Sequence, residues 1–347
     1  MVGISLLTLV PGVVGGSETY ARELCRALAR VGQLEYRAFV PTVAPDAADG
    51  LDARVVGSYR ASRSTVGRMR AMGGGLVRGG PLRRELGLRE LEVIHFPLSV
   101  MVPRVSSPPA ATTILDLQHE FLPANFPRWE LLYRRVVYAA TARRSQIVIA
   151  ISEHARETLV EQLGLEPERV RTIHLGVDLE RFAPAEVQRE SFLLYPANRW
   201  PHKNHDTLFR ALELLPEYRL VLTGHGHPRT PSRERVYDAG RVSGEELVAL
   251  YRRAAALVFP SLYEGFGQPV LEALATGCPV ACSDLPPLRE VAGDAAVYFD
   301  PRDPEAIAAA VRDAVARGGS AGRARAEAFS WDECARRHDE VYRELAR

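Results

Sequence analysis

Phe259-Pro260-Ser261-Leu262-Tyr263-Glu264-Gly265-Phe266-Gly267-Gln268-Pro269-Val270-Leu271-Glu272 follows an apolar run that begins at Ala254, and it opens a helical pattern near Gly267. The apolar run reads as a buried strand, with Pro260-Ser261 as its break. Strand, glycine-bracketed loop and helix, in that order, aim backbone N–H groups at an anion. Glu264 falls in the loop and Glu272 inside the new helix. A phosphate held by the N–H groups then has a hydroxyl-binding carboxylate near each side. That suits a molecule with a sugar at both ends of a diphosphate. A capped α/β crossover with two surface glutamates gives the same local pattern, so the surrounding sequence has to decide.

Outward from this stretch, strand-like and helix-like segments alternate, which predicts parallel α/β sheets. Strands are expected at Ile4–Val10, Tyr36–Val40, Val93–Phe96, Thr112–Leu115, Gln146–Ile151 and Val170–His174. Ser17 is placed to cap the first helix, Ser152 to start a later one and Gly164 to stop it. The charged, irregular stretch from Asp178 to Arg189 reads as a boundary, after which alternation restarts. Further strands are expected at Ser191–Tyr195, Leu220–Thr223, Ala256–Phe259, Pro279–Cys282 and Ala296–Phe299, with a helix at Asn204–Leu214. Ser243-Gly244-Glu245-Glu246 matches a capping box. Pro304 opens a helix, and a last one runs from Trp331 to Leu345 beyond the glycines of 318–322.

The 347 residues suffice for two domains, and the net charge of +1 gives no bulk attraction to polyanions. The four cysteines, Cys25, Cys278, Cys282 and Cys334, fit neither a zinc ribbon nor a disulfide framework, which points to a reducing, cytoplasmic setting. The apolar start lacks a basic leader and reads as a first strand, and no run approaches the ~20 apolar residues of a membrane span. One region is biased: Arg60 to Arg89 carries Arg60, Arg63, Arg68, Arg70, Arg78, Arg83, Arg84 and Arg89 against Glu85 alone. It reads either as an acceptor-side or peripheral membrane-surface patch at the inner membrane face, or as a solvated, partly mobile loop region.

The Glu-x7-Glu spacing of Glu264 and Glu272, with Pro-Ser before it, Glu-Gly-Phe-Gly inside it and Glu-Ala-Leu-Ala-Thr-Gly-Cys-Pro-Val after it, closely resembles the signature of retaining glycosyltransferases of the family 4 type. The resemblance covers nearly the whole chain. It implies the GT-B fold, with two facing Rossmann-like domains and a cleft between them. The expected parts are an acceptor-side domain at 1–180, a nucleotide-sugar domain at 190–325, and a terminal helix at 330–347 crossing back to the first domain. It also implies that Glu264 contacts donor-sugar hydroxyls and Glu272 ribose hydroxyls.

Breaking the bond between a sugar and a nucleoside diphosphate leaves negative charge on phosphate, which cations and N–H dipoles must stabilise when no metal is present. Arg199 and Lys203, just after the first strand of the second domain, resemble the family's diphosphate clamp. Thr223-Gly224-His225-Gly226 ends a strand and resembles its Gly-x-Gly nucleotide loop, an ordinary strand-to-helix turn being the other reading. Gly240-Arg241-Val242 resembles the base-contacting segment. Gly265, Phe266 and Gly267 belong to the phosphate loop, and Gly15-Gly16 to a first-domain loop closing over the phosphates. Asp116 and His119 resemble the first-domain His-Asp segment, although Leu115 stands where the family's wider form has a His. His119 is the candidate for contact with the donor sugar and for catalysis, with a structural histidine as the alternative, and Asp116 for orienting it or touching the acceptor.

His202, His205, His225 and His227 lack ligand-like spacing, so no metal is expected, and no cofactor beyond the nucleoside-diphosphate sugar that serves as donor substrate. A glycosidase pair would need carboxylates ~5 Å apart across a sugar, which a diphosphate loop between Glu264 and Glu272 argues against. The sequence thus predicts a hexosyltransferase moving a hexose or deoxyhexose to a hydroxyl on a saccharide, lipid-linked or small-molecule acceptor. The alternatives are a nucleotide-sugar epimerase or phosphorylase on the same fold, or a catalytically silent sugar-nucleotide-binding subunit. No nucleic-acid partner is expected.

Overall fold

A computed structural model describes residues 1–12, 15–62, 64–77, 79–226 and 234–347. Val13, Val14, Arg63, Arg78 and His227 lie outside them. The chain divides into two compact units, Met1–Gly176 with Trp331–Arg347, and Val177–Ser330.

The first unit runs β1 (Val2–Ser5), α1 (Gly16–Val31), β2 (Tyr36–Pro41), β3 (Asp52–Val56), α2 (Thr65–Val77), α3 (Gly79–Glu85), β4 (Val93–Phe96), β5 (Ala110–Thr113), α4 (Gln118–Phe121), α5 (Arg128–Arg144), β6 (Ile147–Ala150), α6 (Glu153–Leu163) and β7 (Val170–Thr172). Among the described residues its strands form a parallel sheet in the order β3-β2-β1-β4-β5-β6-β7. The second unit runs β8 (Glu190–Pro196), α7 (His205–Glu213), β9 (Arg219–Thr223), β10 (Val236–Asp238), α8 (Gly244–Arg253), β11 (Ala254–Phe259), α9 (Gln268–Ala275), β12 (Val280–Ser283), α10 (Pro286–Ala292), β13 (Val297–Phe299), α11 (Pro304–Arg317) and α12 (Gly322–Ala326). Its parallel sheet has the order β10-β9-β8-β11-β12-β13. Helix α13 (Trp331–Leu345) then joins the first unit, packing along α1.

Helices on both faces explain why β11 is buried at every position and shows no alternation of apolar and polar residues. The expected boundaries need four corrections. β1 ends at Ser5; Leu6, Leu7, Leu9 and Val10 are buried in a turn, with Leu9 N–H donating to Leu6 O at 2.9 Å, so burial without strand pairing imitates a strand. Ser17 does not cap α1, which starts at Gly16 with Gly15 in the capping position and no side-chain cap. β3 and β10 were not expected, because both are short edge strands, mostly exposed, whose few apolar residues are interrupted by charged or exposed ones. The 60–89 stretch is largely helical: Leu82 of α3 is buried, Ala71 and Met72 of α2 pack on the core, and Glu85 accepts the Gly57 and Ser58 N–H groups.

α13 is tied to the first sheet by a buried chain of hydrogen bonds. Cys334 O can only accept, so His338 Nδ1 donates to it at 2.8 Å. With His338 neutral, its Nε2 accepts from Tyr20 OH at 3.1 Å, and Tyr20 oxygen accepts from Thr113 OH at 2.8 Å. Thr113 oxygen in turn accepts from His95 Nε2 at 2.8 Å, leaving His95 Nδ1 to accept from Tyr342 OH at 2.8 Å. One carbonyl thereby sets the direction of every donor, and each imidazole carries one proton.

Candidate active site

In the second sheet β8 has β9 on one side and β11 on the other. Their following segments depart to opposite sides, which opens the crevice at the carboxyl ends where open α/β sheets bind ligands. Lys203 and Glu264 meet across it. Lys203 Nζ lies 2.5 Å from Glu264 Oε1, with the side chains 13% and 12% exposed. Lys203 Nζ also sits 5.2 Å from the centre of the Phe259 ring. The two loops are braced against each other. Leu262 N–H donates to His202 O at 2.7 Å, and Asn204 Nδ2 donates to Pro260 O and Pro301 O at 3.1 and 2.6 Å. Tyr195 OH donates to Lys203 O at 2.6 Å. The backbone that carries Lys203 is thus fixed from β8, β11 and the loop after β13.

The β9 loop packs on the β8 loop. His225 N–H donates to Asn198 Oδ1 at 2.7 Å, and Arg199 N–H donates to His225 O at 2.9 Å. Gly224 has φ +125°, and a Cβ there would lie 2.9 Å from Asn198 Oδ1 and 3.0 Å from the Ala197 backbone. Only glycine suits that close approach. Arg199 lies beside Gly226, exposed, with Asp206 3.6 Å away. Gly240 O accepts from Gly224 N–H at 2.8 Å, which links Arg241 and Val242, at the end of edge strand β10, to the same rim.

At the β11 loop, Gly267 has φ +109°, and a Cβ would come within 2.4 Å of Leu288 Cδ2. It precedes α9, whose N-terminus has no side-chain cap. An uncapped helix start at the mouth of this crevice favours negative charge. Phe266 is buried with its ring against Phe329, so its side chain anchors the loop, and a ligand would meet its backbone. Glu272, one turn into α9, accepts from Tyr251 OH at 2.9 Å. Tyr251, in α8, meets Glu272 through its hydroxyl, a pairing across the fold that no local spacing announces.

In the first unit, Gly15 stands before α1 and Gly16 begins it, and Glu18 Oε2 accepts Gly12 N–H at 2.8 Å. Asp116 follows β5 and accepts Gln118 N–H at 3.0 Å. His119 lies in α4 at 1% exposure, edge-on to Tyr138 and Phe126, and neither ring nitrogen has a hydrogen-bond partner among the described residues. Burial pushes its pKa down to about 4, with Arg134 and Arg135 adding to the effect and Glu120, 3.6 Å away, opposing it. At neutral pH it is an uncharged imidazole that this structure shields from solvent.

His202 is buried and its pKa is held at about 3, chiefly by burial and then by Lys203 and His205. Among the described residues no group of His, Cys, Asp and Glu side chains could hold a metal ion. All four cysteines are buried free thiols.

The family model described as glycosyl transferases group 1 matches residues 177–331, and that described as Glycosyltransferase Family 4 matches residues 14–181. The chain belongs to the family 4 glycosyltransferases. O-antigen chain mannosyltransferase B of Escherichia coli is 28% identical over 299 residues, 76% of this chain and 78% of that protein. The MMP alpha-(1->4)-mannosyltransferase of Mycolicibacterium hassiacum is 30% identical over 224 residues, 58% of this chain and 54% of its own length. Sucrose-phosphate synthase from Thermosynechococcus elongatus superposes with a TM-score of 0.79 at 21% identity, over 99% of this chain and 98% of that one. Anabaena HepE in complex with UDP-glucose gives 0.71 at 15% identity, over 99% of each chain. These likenesses show the GT-B fold with two Rossmann-like domains. In this glycosyltransferase Arg199, Lys203, Gly224, Gly226 and Glu264 lie on the loops that meet at the second unit's crevice, Gly267 precedes α9, and Glu272 pairs with Tyr251.

Proposed function

We propose that this glycosyltransferase moves a hexose from a nucleoside-diphosphate sugar to a hydroxyl acceptor in glycan or glycoconjugate assembly, with retention at the anomeric carbon and without a metal. The observation that carries the reading is the Lys203–Glu264 pair at the switch-point crevice, beside the uncapped start of α9. Relatives named as mannosyltransferases favour mannose among the hexoses, and the HepE complex favours a nucleotide-sugar donor. Arg199, Lys203 and the N–H groups of Gly265 to Gly267 would hold the diphosphate and stabilise the charge that develops as the sugar leaves. Glu264 would take the sugar hydroxyls, Glu272 the ribose, and Arg241-Val242 the base. The leaving phosphate would accept the acceptor proton on the same face of the sugar. His119 would act on the donor sugar only after a local rearrangement uncovers it, with Asp116 orienting it.

Calorimetric titration with UDP, GDP, dTDP and ADP tests the donor site. One nucleotide is expected to bind preferentially, and Lys203→Ala and Glu272→Ala each to weaken it by about tenfold or more. Failure of folded wild-type protein to bind any of them sinks the donor reading and leaves the silent-subunit alternative.

Membrane contact is proposed for α5 and the adjoining α2. Trp129, Leu132 and Val136 are 47%, 64% and 55% exposed at helical spacing on one face of α5. Arg128, Arg135, Arg143 and Arg144 are exposed along the same helix. Tyr133 OH donates to Met72 Sδ at 3.1 Å, which sets α2 and its exposed Arg70 alongside. An apolar stripe flanked by arginines suits an anionic bilayer surface. No helix among the described residues is long and apolar enough to cross one. Sedimentation with phosphatidylglycerol vesicles is expected to carry the protein down, more weakly at high salt, and Trp129→Ser with Leu132→Ser and Val136→Ser to lower binding by about tenfold. Unchanged binding by the triple variant would move the contact elsewhere.

A further inference from the structure

Tyr251 lies in the last turn of α8, fully buried, and its hydroxyl donates to Glu272 Oε2 at 2.9 Å. A buried phenol in the second unit's core would ordinarily find a backbone carbonyl; this one reaches a carboxylate on a different helix. The helix beneath it is fixed at both ends. Ser243 and Glu246 close a reciprocal capping box at its start. At its end Arg189 Nη1 donates to the carbonyls of Tyr251, Arg252 and Ala254, and Arg189 Nη2 donates to Gly277 O. The Tyr251 ring is held edge-on by Phe182, 6.2 Å between centres. Burial, and then the Glu272 carboxylate, raise the phenol pKa well above its usual range, so the proton stays on the tyrosine and the direction of donation is constant across working pH.

A carboxylate that binds a vicinal diol must offer its two oxygens in a defined plane. Glutamate has rotatable bonds to spare, and each one frozen on binding weakens affinity. A fixed donor on one oxygen removes that freedom before the ligand arrives.

We propose that Tyr251 is a positioning residue that pre-orients Glu272 toward the ribose hydroxyls of the bound nucleotide, and thereby sets selectivity for ribonucleotides over 2′-deoxyribonucleotides. The proposal rests on the reading that Glu272 binds the ribose. A merely structural role for Tyr251 would lower stability and leave sugar selectivity untouched, because the loss of packing or of a hydrogen bond acts equally on both ligands.

The test is the ratio of dissociation constants for 2′-deoxy-UDP over UDP, and for 2′-deoxy-GDP over GDP, in wild type, Tyr251→Phe and Glu272→Ala. Phenylalanine keeps the ring against Phe182, and the melting temperature of each variant reports that it is folded. Wild type is expected to prefer the ribonucleotide by about tenfold or more. Glu272→Ala is expected to bring the ratio close to one. Tyr251→Phe is expected to cut it by about fivefold, through weaker binding of the ribonucleotide and unchanged binding of the deoxy form. A wild-type ratio in folded Tyr251→Phe, together with loss of selectivity in Glu272→Ala, overturns the role of Tyr251 and leaves the ribose reading intact. Full selectivity in Glu272→Ala, or no binding of either nucleotide pair by wild type, overturns the ribose reading and the proposal with it.

Discussion

Lys203→Ala is expected to lower kcat for sugar transfer by about 10²- to 10³-fold, the loss seen when one pre-organised charge-stabilising group is removed from a water-poor site. Its exchange of partners makes the effect large. Without ligand the ammonium is paired with Glu264 and shielded from solvent on both sides of the pair. In the proposed reaction, a diphosphate arriving at the α9 start would offer Lys203 a second anion, and the carboxylate would then be available to sugar hydroxyls. In that reaction, deleting the cation would remove stabilisation of the leaving phosphate and would also leave a largely buried carboxylate without its counter-charge. Rate of release of nucleoside diphosphate, with and without acceptor, measures both. Lys203→Arg keeps charge but places a wider group against Phe259, so it should recover only part of the activity. A fall of less than tenfold in Lys203→Ala would reduce Lys203 to a structural partner of Glu264.

The second large effect is on stability in acid. His338 is fully buried and its pKa is pushed down from 6.5 to about 4, chiefly by burial. His95, also fully buried, lies well below the ordinary value because of burial and then the neighbouring His338. In the unfolded chain both take up protons near pH 6.5, whereas in the fold they stay neutral. The unfolded state therefore binds more protons through this window, and stability is full above about pH 6.5 and falls as pH drops toward 4. The loss is on the order of 3 kcal/mol for His338. The hydrogen-bond chain supplies the structural reason: a second proton on either imidazole turns an acceptor into a donor facing a hydroxyl that is already donating. Urea unfolding between pH 7.5 and 5 should show the decline, and His338→Gln should flatten its slope by about one proton. A pH-independent unfolding free energy in wild type would contradict the assigned chain.

Much of the architecture was legible because a parallel sheet covered on both faces writes its strands as unbroken apolar runs; β6 and β11 stand close to where those runs fall. Capping chemistry was legible for the same local reason at Ser152 and Ser243. The exposed edge strands were not, because their pairing is set by a neighbour and their side chains face water. At the candidate site, the glycine loop and both glutamates lie in one contiguous stretch, and so they could be read together. The partners that hold them are distant in sequence: Lys203 with Glu264, Tyr251 with Glu272, Asn204 with the carbonyls of Pro260 and Pro301. The burial of His119 was equally out of reach, since Tyr138 and Phe126 come to it from the helix and loop that follow.

The division of the chain has a consequence for the order of synthesis. Val177 N–H donates to Phe329 O at 3.0 Å, so the second unit begins and ends at one place, and all its residues leave the ribosome before Trp331 does. The first unit is made first, yet Tyr20, Thr113 and His95 wait for His338 and Tyr342, more than two hundred residues later. The part translated first is thus finished last.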